Sequence, residues 1–455
     1  MLQRLQEILL EIISISRAFV RKRRILVSVV LWSVVATFIA IISLGGESVP
    51  SDEVGMVSTP KLPKLIKRPL HRGLINSMSD FPQCKTFDKE IETFMRRWEI
   101  TGASFALMRN DSLIYAKGYG YADKEKKIGC EVSNTFRIAS ASKLITATAI
   151  MKLIEQGKLT LGSTVFGERG ILCMSPFDRL ADSRMERITV EHLLRHTAGF
   201  KTPVDDPAFG NYTVAKSLGK SLPLKLDDMV EYSIRYKLRG MPGDRYDYSN
   251  LGYMILTKVI EVASGRDYES YVKQNLLEPI GCYDMRIGQN YSRNRPTNEV
   301  SYYEVKEAEL YDACDGSGKR VLKSNGGNNV TLLSGAGGWV ASPTEMLRFV
   351  ASINGSGTKK DIISKASVET MTYDSRRDKP IGWATVRGNE WLRSGSMAGS
   401  SVLIKQQKDG YTWIFVTNSS AWIGYKLTNQ ISTQITRSIS KVKGWTKQDL
   451  FEKGR

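Results

Sequence analysis

The order of apolar and polar positions divides the chain into stretches of different character. Residues 1–24 open on a short amphipathic pattern, Met1 to Ser16, and close on the basic cluster Arg21-Lys22-Arg23-Arg24. Residues 25–44 (ILVSVVLWSVVATFIAIISL) follow without a single charge. A run of about 20 apolar residues has the length of a bilayer-spanning helix. A buried core helix would keep a polar face, and a cleavable export signal would have a shorter apolar region ending in small residues. The pattern predicts an uncleaved single-pass anchor. Its basic flank keeps residues 1–24 cytoplasmic and sends the long C-terminal part to the periplasm or the cell exterior. Residues 45–84 hold Gly45-Gly46, Pro50, Pro60, Pro63 and Pro69. Proline at that density resists regular structure and predicts a tether.

From residue 85 to 442 the periods are those of a folded domain, and 443–455 reads as a tail. Phe87 to Trp98 has helical spacing. Gly102 to Leu107 and Leu113 to Tyr121 alternate as two strands around an Asn110-Asp111 turn, a β-hairpin. Phe136 to Leu159 (FRIASASKLITATAIMKLIEQGKL) places Leu144, Ile145, Ala147, Ala149, Ile150, Leu153 and Ile154 at three- and four-residue intervals. That spacing predicts a helix with a broad buried face, ending near Gln156-Gly157. Ile188 to Phe200 reads as a structural turn ending at Gly199, and Leu251 to Ala263 as a helix. Ser334 to Ser342 is a Gly-rich turn before a helix over Pro343 to Ile353. Trp391 to Ile404 and Thr412 to Asn418 alternate as antiparallel strands, and Leu427 to Val442 closes the chain as a helix.

Composition narrows the function classes. The 455 residues carry 65 Lys plus Arg against 47 Asp plus Glu, a formal charge of +18. No zinc-finger, helix-turn-helix or RNA-binding motif accompanies that charge, which excludes nucleic acid as partner and suits an anionic membrane or cell-wall polymer. The cysteines number five and show no C-x-x-C spacing, so no disulfide is assigned. Histidines number three: His71, His192 and His196. His192 and His196 are four apart, but Leu193 stands where H-E-x-x-H needs Glu, and no further ligands cluster nearby. No metal and no cofactor are expected.

The candidate chemistry sits at the start of the Ser140 helix. Ser140-Ala141-Ser142-Lys143 is an S-x-x-K tetrapeptide, and positions i and i+3 share a helix face. A serine hydroxyl needs a base to become nucleophilic, and a desolvated lysine can lose its proton and serve. Scarcity of histidine favours such a Ser-Lys system over a Ser-His-Asp triad. Downstream, Pro242-Gly243-Asp244 is turn chemistry that delivers Tyr248-Ser249-Asn250 to a loop-to-helix junction. A tyrosine beside a lysine can relay protons, and an asparagine can hold a substrate amide.

The order Ser140-x-x-Lys143, Tyr248-Ser249-Asn250, Arg393-Ser394-Gly395 resembles the serine β-lactamase and penicillin-binding protein superfamily, nearest to its class C-like branch. FRIASASK, ITVEHLLRHTAGF, YDYSNLGY, GAGGWVAS and WLRSGSMAGSS support the likeness, which covers roughly residues 85–440. The resemblance implies an α+β fold, an antiparallel sheet flanked by helices with an all-helical region inserted, and an active site in the cleft between. It implies Ser140 as acylated nucleophile, Lys143 as base or proton relay and Tyr248 as the proton donor that later activates water. Asn250, Arg393, Ser394 and Gly395 would bind substrate, and the backbone N–H groups of Ser140 and Ser396 would form the oxyanion hole. The implied substrate is a small molecule or peptide: a D,D-peptide, an ester or an amide, with a dedicated β-lactamase less favoured. Arg393 departs from the family's Lys or His. It is always protonated, suits a carboxylate and cannot shuttle protons. That departure supports an alternative, a catalytically silent relative that binds a peptide or cell-wall ligand.

Overall fold

The computed structural model describes residues 73–375 and 379–453. The chain divides into two units, Met1–Leu65 and Ile66–Arg455, and every described residue belongs to the second. The expected segments 1–24 and 25–44, and the tether up to residue 72, lie outside the described residues. Among the described residues no helix is long and apolar enough to cross a membrane.

Seven strands make one antiparallel sheet: β1 (Gly102–Arg109), β2 (Ser112–Asp123), β3 (Ile128–Gly129), β4 (Thr385–Arg387), β5 (Glu390–Met397), β6 (Ser400–Gln406) and β7 (Tyr411–Thr417). Their spatial order is β3-β2-β1-β7-β6-β5-β4. The first strand thus pairs with the last, Ala103 opposite Thr417 and Arg109 opposite Tyr411. The helices that place the site are α1 (Lys85–Arg97), α2 (Ser142–Glu155), α3 (Asn250–Ser264), α4 (Val330–Gly337), α5 (Pro343–Ala351) and α6 (Leu427–Lys441).

Alternation along each strand assigns the two faces. Phe105 and Leu107 face α1 and α6, where Phe87, Ile91, Phe94, Ile431 and Ile435 complete one apolar cluster. Ala106 and Met108 face the opposite way, into the larger cluster that holds α2, α3 and α5. Both faces are covered, which is why β1 is buried from Gly102 to Met108. These features form the expected α+β fold.

Three local expectations change. Trp391 to Ile404 is a hairpin rather than one strand, turned at Ala398-Gly399. Gly399 has φ 75°, and a Cβ there would lie 2.6 Å from Tyr302 Cβ. The stretch Ser334–Ser342 is only partly a turn: α4 runs to Gly337 with a break at Ser334 (φ 41°, ψ −119°), and Trp339–Ala341 is a short strand. Packing also extends past both ends of 85–442. Leu74 is buried, and Ser79 Oγ donates to Ala116 O at 2.8 Å. Trp445, Leu450 and Phe451 are buried as well. Their apolar side chains find a sheet face or edge to cover, which a proline-rich or short polar stretch conceals.

α2 differs from an amphipathic helix. Every residue from Ser142 to Met151 is buried, polar ones included. Ser142 Oγ accepts from Trp339 N–H (3.1 Å), and Thr146 Oγ1 donates to Gly335 O (2.8 Å). Thr148 Oγ1 donates to Leu144 O (2.8 Å). Buried hydroxyls are tolerated when bonded, so the helix threads the core between the sheet and α3 and α4.

Candidate active site

The nucleophile position is built by a turn. The chain leaves the short strand Phe136–Arg137, passes through the 3-10 turn Ala139–Ala141 and enters α2 at Ser142. Ala139 has φ 44°, a left-handed conformation that a residue with a Cβ rarely adopts. Bonds on either side hold it. Ile138 N–H donates to Trp339 O at 3.0 Å, and Arg393 Nε donates to Ser140 O at 2.8 Å.

Ser140 Oγ then sits between two proton carriers. Tyr248 Oη is 2.8 Å away and Lys143 Nζ 3.2 Å away. Lys143 Nζ also lies 2.6 Å from Asn250 Oδ1 and 2.5 Å from Ala336 O. Those two oxygens only accept, so they take two N–H groups. The third contact, to Ser140 Oγ, is made by an ammonium donating or by the lone pair of a neutral amine accepting. Burial lowers the Lys143 pKa, with Tyr248 opposing that shift and Arg393 adding to it. For Tyr248, burial pushes the phenol up. The cations Lys143 and Arg393, with hydrogen bonds to Lys143 and Ser140, outweigh it and bring the pKa down to about 8. The Tyr248 residue is 44% exposed, so its ring forms part of the cleft mouth while its hydroxyl is engaged by Ser140.

The Tyr-x-Asn element is aimed by a cap. Ser249 is the N-cap of α3, extended at φ −135° and ψ 116°, and its Oγ accepts from Gly252 N–H at 2.9 Å. An extended residue throws its two neighbours to one side, which brings Tyr248 and Asn250 together toward Ser140 and Lys143. His196 backs them: its ring centroid is 4.6 Å from that of Tyr248 and 5.0 Å from that of Tyr253. Its Nδ1 accepts from Ser249 N–H at 3.1 Å. Burial pushes the His196 pKa well below its ordinary value, and Lys143 and Arg393 add to that, so the ring is neutral with its proton on Nε2. His192 has another task, its Nδ1 accepting from Thr189 N–H at 3.2 Å. Among the described residues no group of three or more His, Cys, Asp or Glu could hold a metal, and all five cysteines are free.

β5 forms the facing wall. Arg393 and Gly395 point toward the Ser140 turn and Ser394 and Ser396 alternate to the other side, yet all four line a cleft of about 460 Å³ with Ser140 and Tyr248. A Cβ on Gly395 would lie 2.7 Å from Ile138 O and 2.8 Å from Ser140 N, so only glycine lets the strand approach the nucleophile's backbone N–H. Arg393 is 3% exposed, and its guanidinium donates from Nε to Ser140 O. Of the residues singled out from the sequence, Ser140, Tyr248, Arg393, Ser394, Gly395 and Ser396 therefore line one cleft, and Lys143 and Asn250 stand behind it, Lys143 bonded to both Ser140 and Asn250. Three contributors were not singled out. His196 was read as part of a turn, although its ring backs Tyr248. The Ala336 carbonyl is freed next to the break in α4, and Asp206 Oδ2 accepts from Asn250 Nδ2 at 2.6 Å.

The family model for beta-lactamase matches residues 87–432. The chain belongs to the β-lactamase family. This is a superfamily of serine hydrolases, and its matched span contains every residue of the cleft. Among curated proteins, this β-lactamase-family chain is 27% identical over 219 residues to protein flp of Staphylococcus aureus strain MRSA252, covering 48% of this chain and 41% of that one. The chain thus spans less than half the length of that relative. It is 26% identical over 404 residues to the putative penicillin-binding protein PbpX of Bacillus subtilis, covering 84% of this chain and 88% of the other. Among solved structures, the D-amino acid amidase of Ochrobactrum anthropi SV3 superposes with TM-score 0.62 at 20% identity, over 79% of this chain and 99% of that one. The octameric penicillin-binding protein homologue of Pyrococcus abyssi gives 0.58 at 22% identity, over 76% and 77%. At such identities these superpositions establish the fold.

Proposed function

We propose that this protein is a membrane-anchored serine hydrolase that forms an acyl intermediate on Ser140 and acts on a peptide, ester or amide bearing a carboxylate. The observation that carries the reading is the placement of Ser140 Oγ between Lys143 Nζ and Tyr248 Oη. The pair has two states of equal charge, Lys143 cation with Tyr248 phenolate and neutral lysine with neutral phenol. Each presents a base to the serine hydroxyl. As Oγ bonds to the substrate carbonyl carbon, its proton passes to the pair. The oxyanion is held by the N–H groups of Ser140 and Ser396, each such donor being worth about 3 kcal/mol. Collapse breaks the scissile bond and the leaving group takes the proton from Tyr248. Water then gives a proton to Tyr248, attacks the acyl carbon and releases the acid, returning the proton to Oγ.

Charge in the cleft favours one substrate class. Its described lining includes Arg393 and Lys379 and no carboxylate. A peptide ending in a carboxylate finds Arg393 there, with Lys379 beside it paired to Asp374 at 3.6 Å, whereas a free amino-acid amide brings an ammonium that meets no carboxylate among the described lining residues. This supports a D,D-peptidase-like or carboxylate-bearing ester substrate over an amino-acid amide. The uncharged run 25–44 and the basic cluster before it support a hydrolase held outside the cytoplasmic membrane. The second reading, a catalytically silent binding protein, draws on Arg393 standing where the family has Lys or His.

The test is intact mass of the full chain after a fluorophosphonate and, separately, a penicillin, with Ser140→Ala alongside. Adducts lost in the variant establish the nucleophile, and a penicillin adduct supports the carboxylate-bearing peptide class. A folded protein that takes neither reagent overturns the hydrolase reading in favour of the binding one.

A further inference from the structure

We infer that Asp206 is a positioning residue for this site: its carboxylate fixes the amide of Asn250 with the oxygen toward Lys143, and so sets what Asn250 offers a substrate. The inference rests on the reading of Ser140 as the acylated nucleophile.

Asp206 lies in the loop ahead of the short turn Pro207–Phe209. Its Oδ1 accepts from Ala208 N–H at 3.2 Å, which caps that turn, and its Oδ2 accepts from Asn250 Nδ2 at 2.6 Å. On its other side Asn250 Oδ1 lies 2.6 Å from Lys143 Nζ. The amide therefore bridges a carboxylate and the lysine. Rotated by half a turn, it would press its NH₂ against the lysine's donors and its oxygen against the carboxylate, two repulsive contacts in place of two attractive ones. Asp206 thus decides the orientation chemically. An Asn carries two Nδ2 hydrogens, and one is committed to Asp206. The second is the donor left for a substrate carbonyl. In the flipped state the amide would present an acceptor instead and would release Lys143.

Charge gives Asp206 a second effect. Among the described residues it is the one carboxylate hydrogen-bonded to the set Ser140, Lys143, Tyr248 and Asn250. The groups facing Lys143 and Tyr248 from the other elements are Arg393 of β5, which is cationic, neutral His196, and Tyr246 and Tyr253. A negative charge behind Asn250 therefore favours protons on the Lys143–Tyr248 pair, and its removal releases them at lower pH.

The test is the rate of fluorophosphonate labelling of Ser140 across pH 5–10 in wild type, Asp206→Asn and Asp206→Glu, with thermal melts to confirm folding. Asp206→Asn keeps an oxygen for the Ala208 cap but turns an NH₂ toward the NH₂ of Asn250. Labelling is expected to slow at least tenfold, and the whole profile to move to lower pH by about half a unit. Asp206→Glu keeps the charge and is expected to leave the profile in place even where the rate falls. A merely structural role would lower the rate without moving the profile, and an unmoved profile in folded Asp206→Asn overturns the inference. If Asp206→Asn does not fold, Asp206→Ser, which retains a capping oxygen without the charge, is read in the same way. Wild-type protein that takes no label would overturn the reading of Ser140 itself, an outcome distinct from equal labelling of wild type and variant.

Discussion

Replacing Gly395 with Ala tests whether β5 must touch the nucleophile turn. The added Cβ would stand 2.7 Å from Ile138 O, 2.8 Å from Ser140 N and 2.9 Å from Val402 Cγ1. Ordinary contact begins near 3.4 Å, so strand and turn have to part by about 0.7 Å. Two of the three atoms are backbone, and the turn carries the left-handed Ala139, so neither side yields by a rotamer change. Overpacking of this kind costs about 1–3 kcal/mol, and for a domain of this size that lowers Tm by a few degrees. The catalytic loss is expected to be larger. A misplacement of about 1 Å costs roughly a hundredfold, so the parting here should slow labelling of Ser140 by tenfold or more. Gly129→Ala in edge strand β3 is the matched control, because a Cβ there meets nothing within 4 Å. Labelling of Gly395→Ala within about threefold of wild type, with a melt like that of the control, would refute the close-approach argument.

Two further outcomes follow from the titrating groups. Tyr248→Phe should slow labelling by roughly 10²–10⁴-fold. In wild type the rate should climb as pH rises through about 8, where the Tyr248 phenol loses its proton; a climb that persists in the variant would move the base elsewhere. His196 is neutral in the fold, its pKa pushed down by burial. Below an unfolded pKa of about 6.5 the unfolded chain takes up a proton that the fold refuses, so stability is full above that pH and declines as pH falls beneath it. His196→Asn puts an oxygen near the place of Nδ1 without titrating there, and should shrink the Tm difference between pH 7.5 and 5.5. An unchanged difference would remove His196 from the account.

What was legible in the sequence was local. The three-and-four spacing after Ser140 fixes a helix, and i to i+3 geometry puts Lys143 beside Ser140 whatever surrounds them. Tyr248 and Asn250 flank a serine with cap chemistry, so a shared direction could be read from three residues. The β1–β2 hairpin announced itself by alternation around Asn110-Asp111. Contributions through backbone or across distance left no such mark. The Ala336 carbonyl depends on the break at Ser334. Asp206 reaches Asn250 across 44 residues of chain, and no spacing rule links two such positions. The break between β5 and β6 was hidden because alternation continues through Ala398-Gly399 without an Asn or Asp to flag it. The apolar count on α2 passed over Ser142 and Thr146, whose burial depends on a donor and an acceptor contributed by distant chain, and Thr148, which bonds back to Leu144 O within the helix.

The burial of α2 on every side also makes it a gauge. Amides in a helix without a solvent-facing stripe exchange with heavy water only when the surrounding layers come apart, so those from Leu144 to Ile150 should report the free energy of opening the whole domain. A group attached to Ser140, at the mouth of that same helix, that stabilises the folded state slows this exchange in proportion. Deuterium uptake by one internal peptide would then read site occupancy and global stability on a single scale, with no knowledge of the natural substrate required.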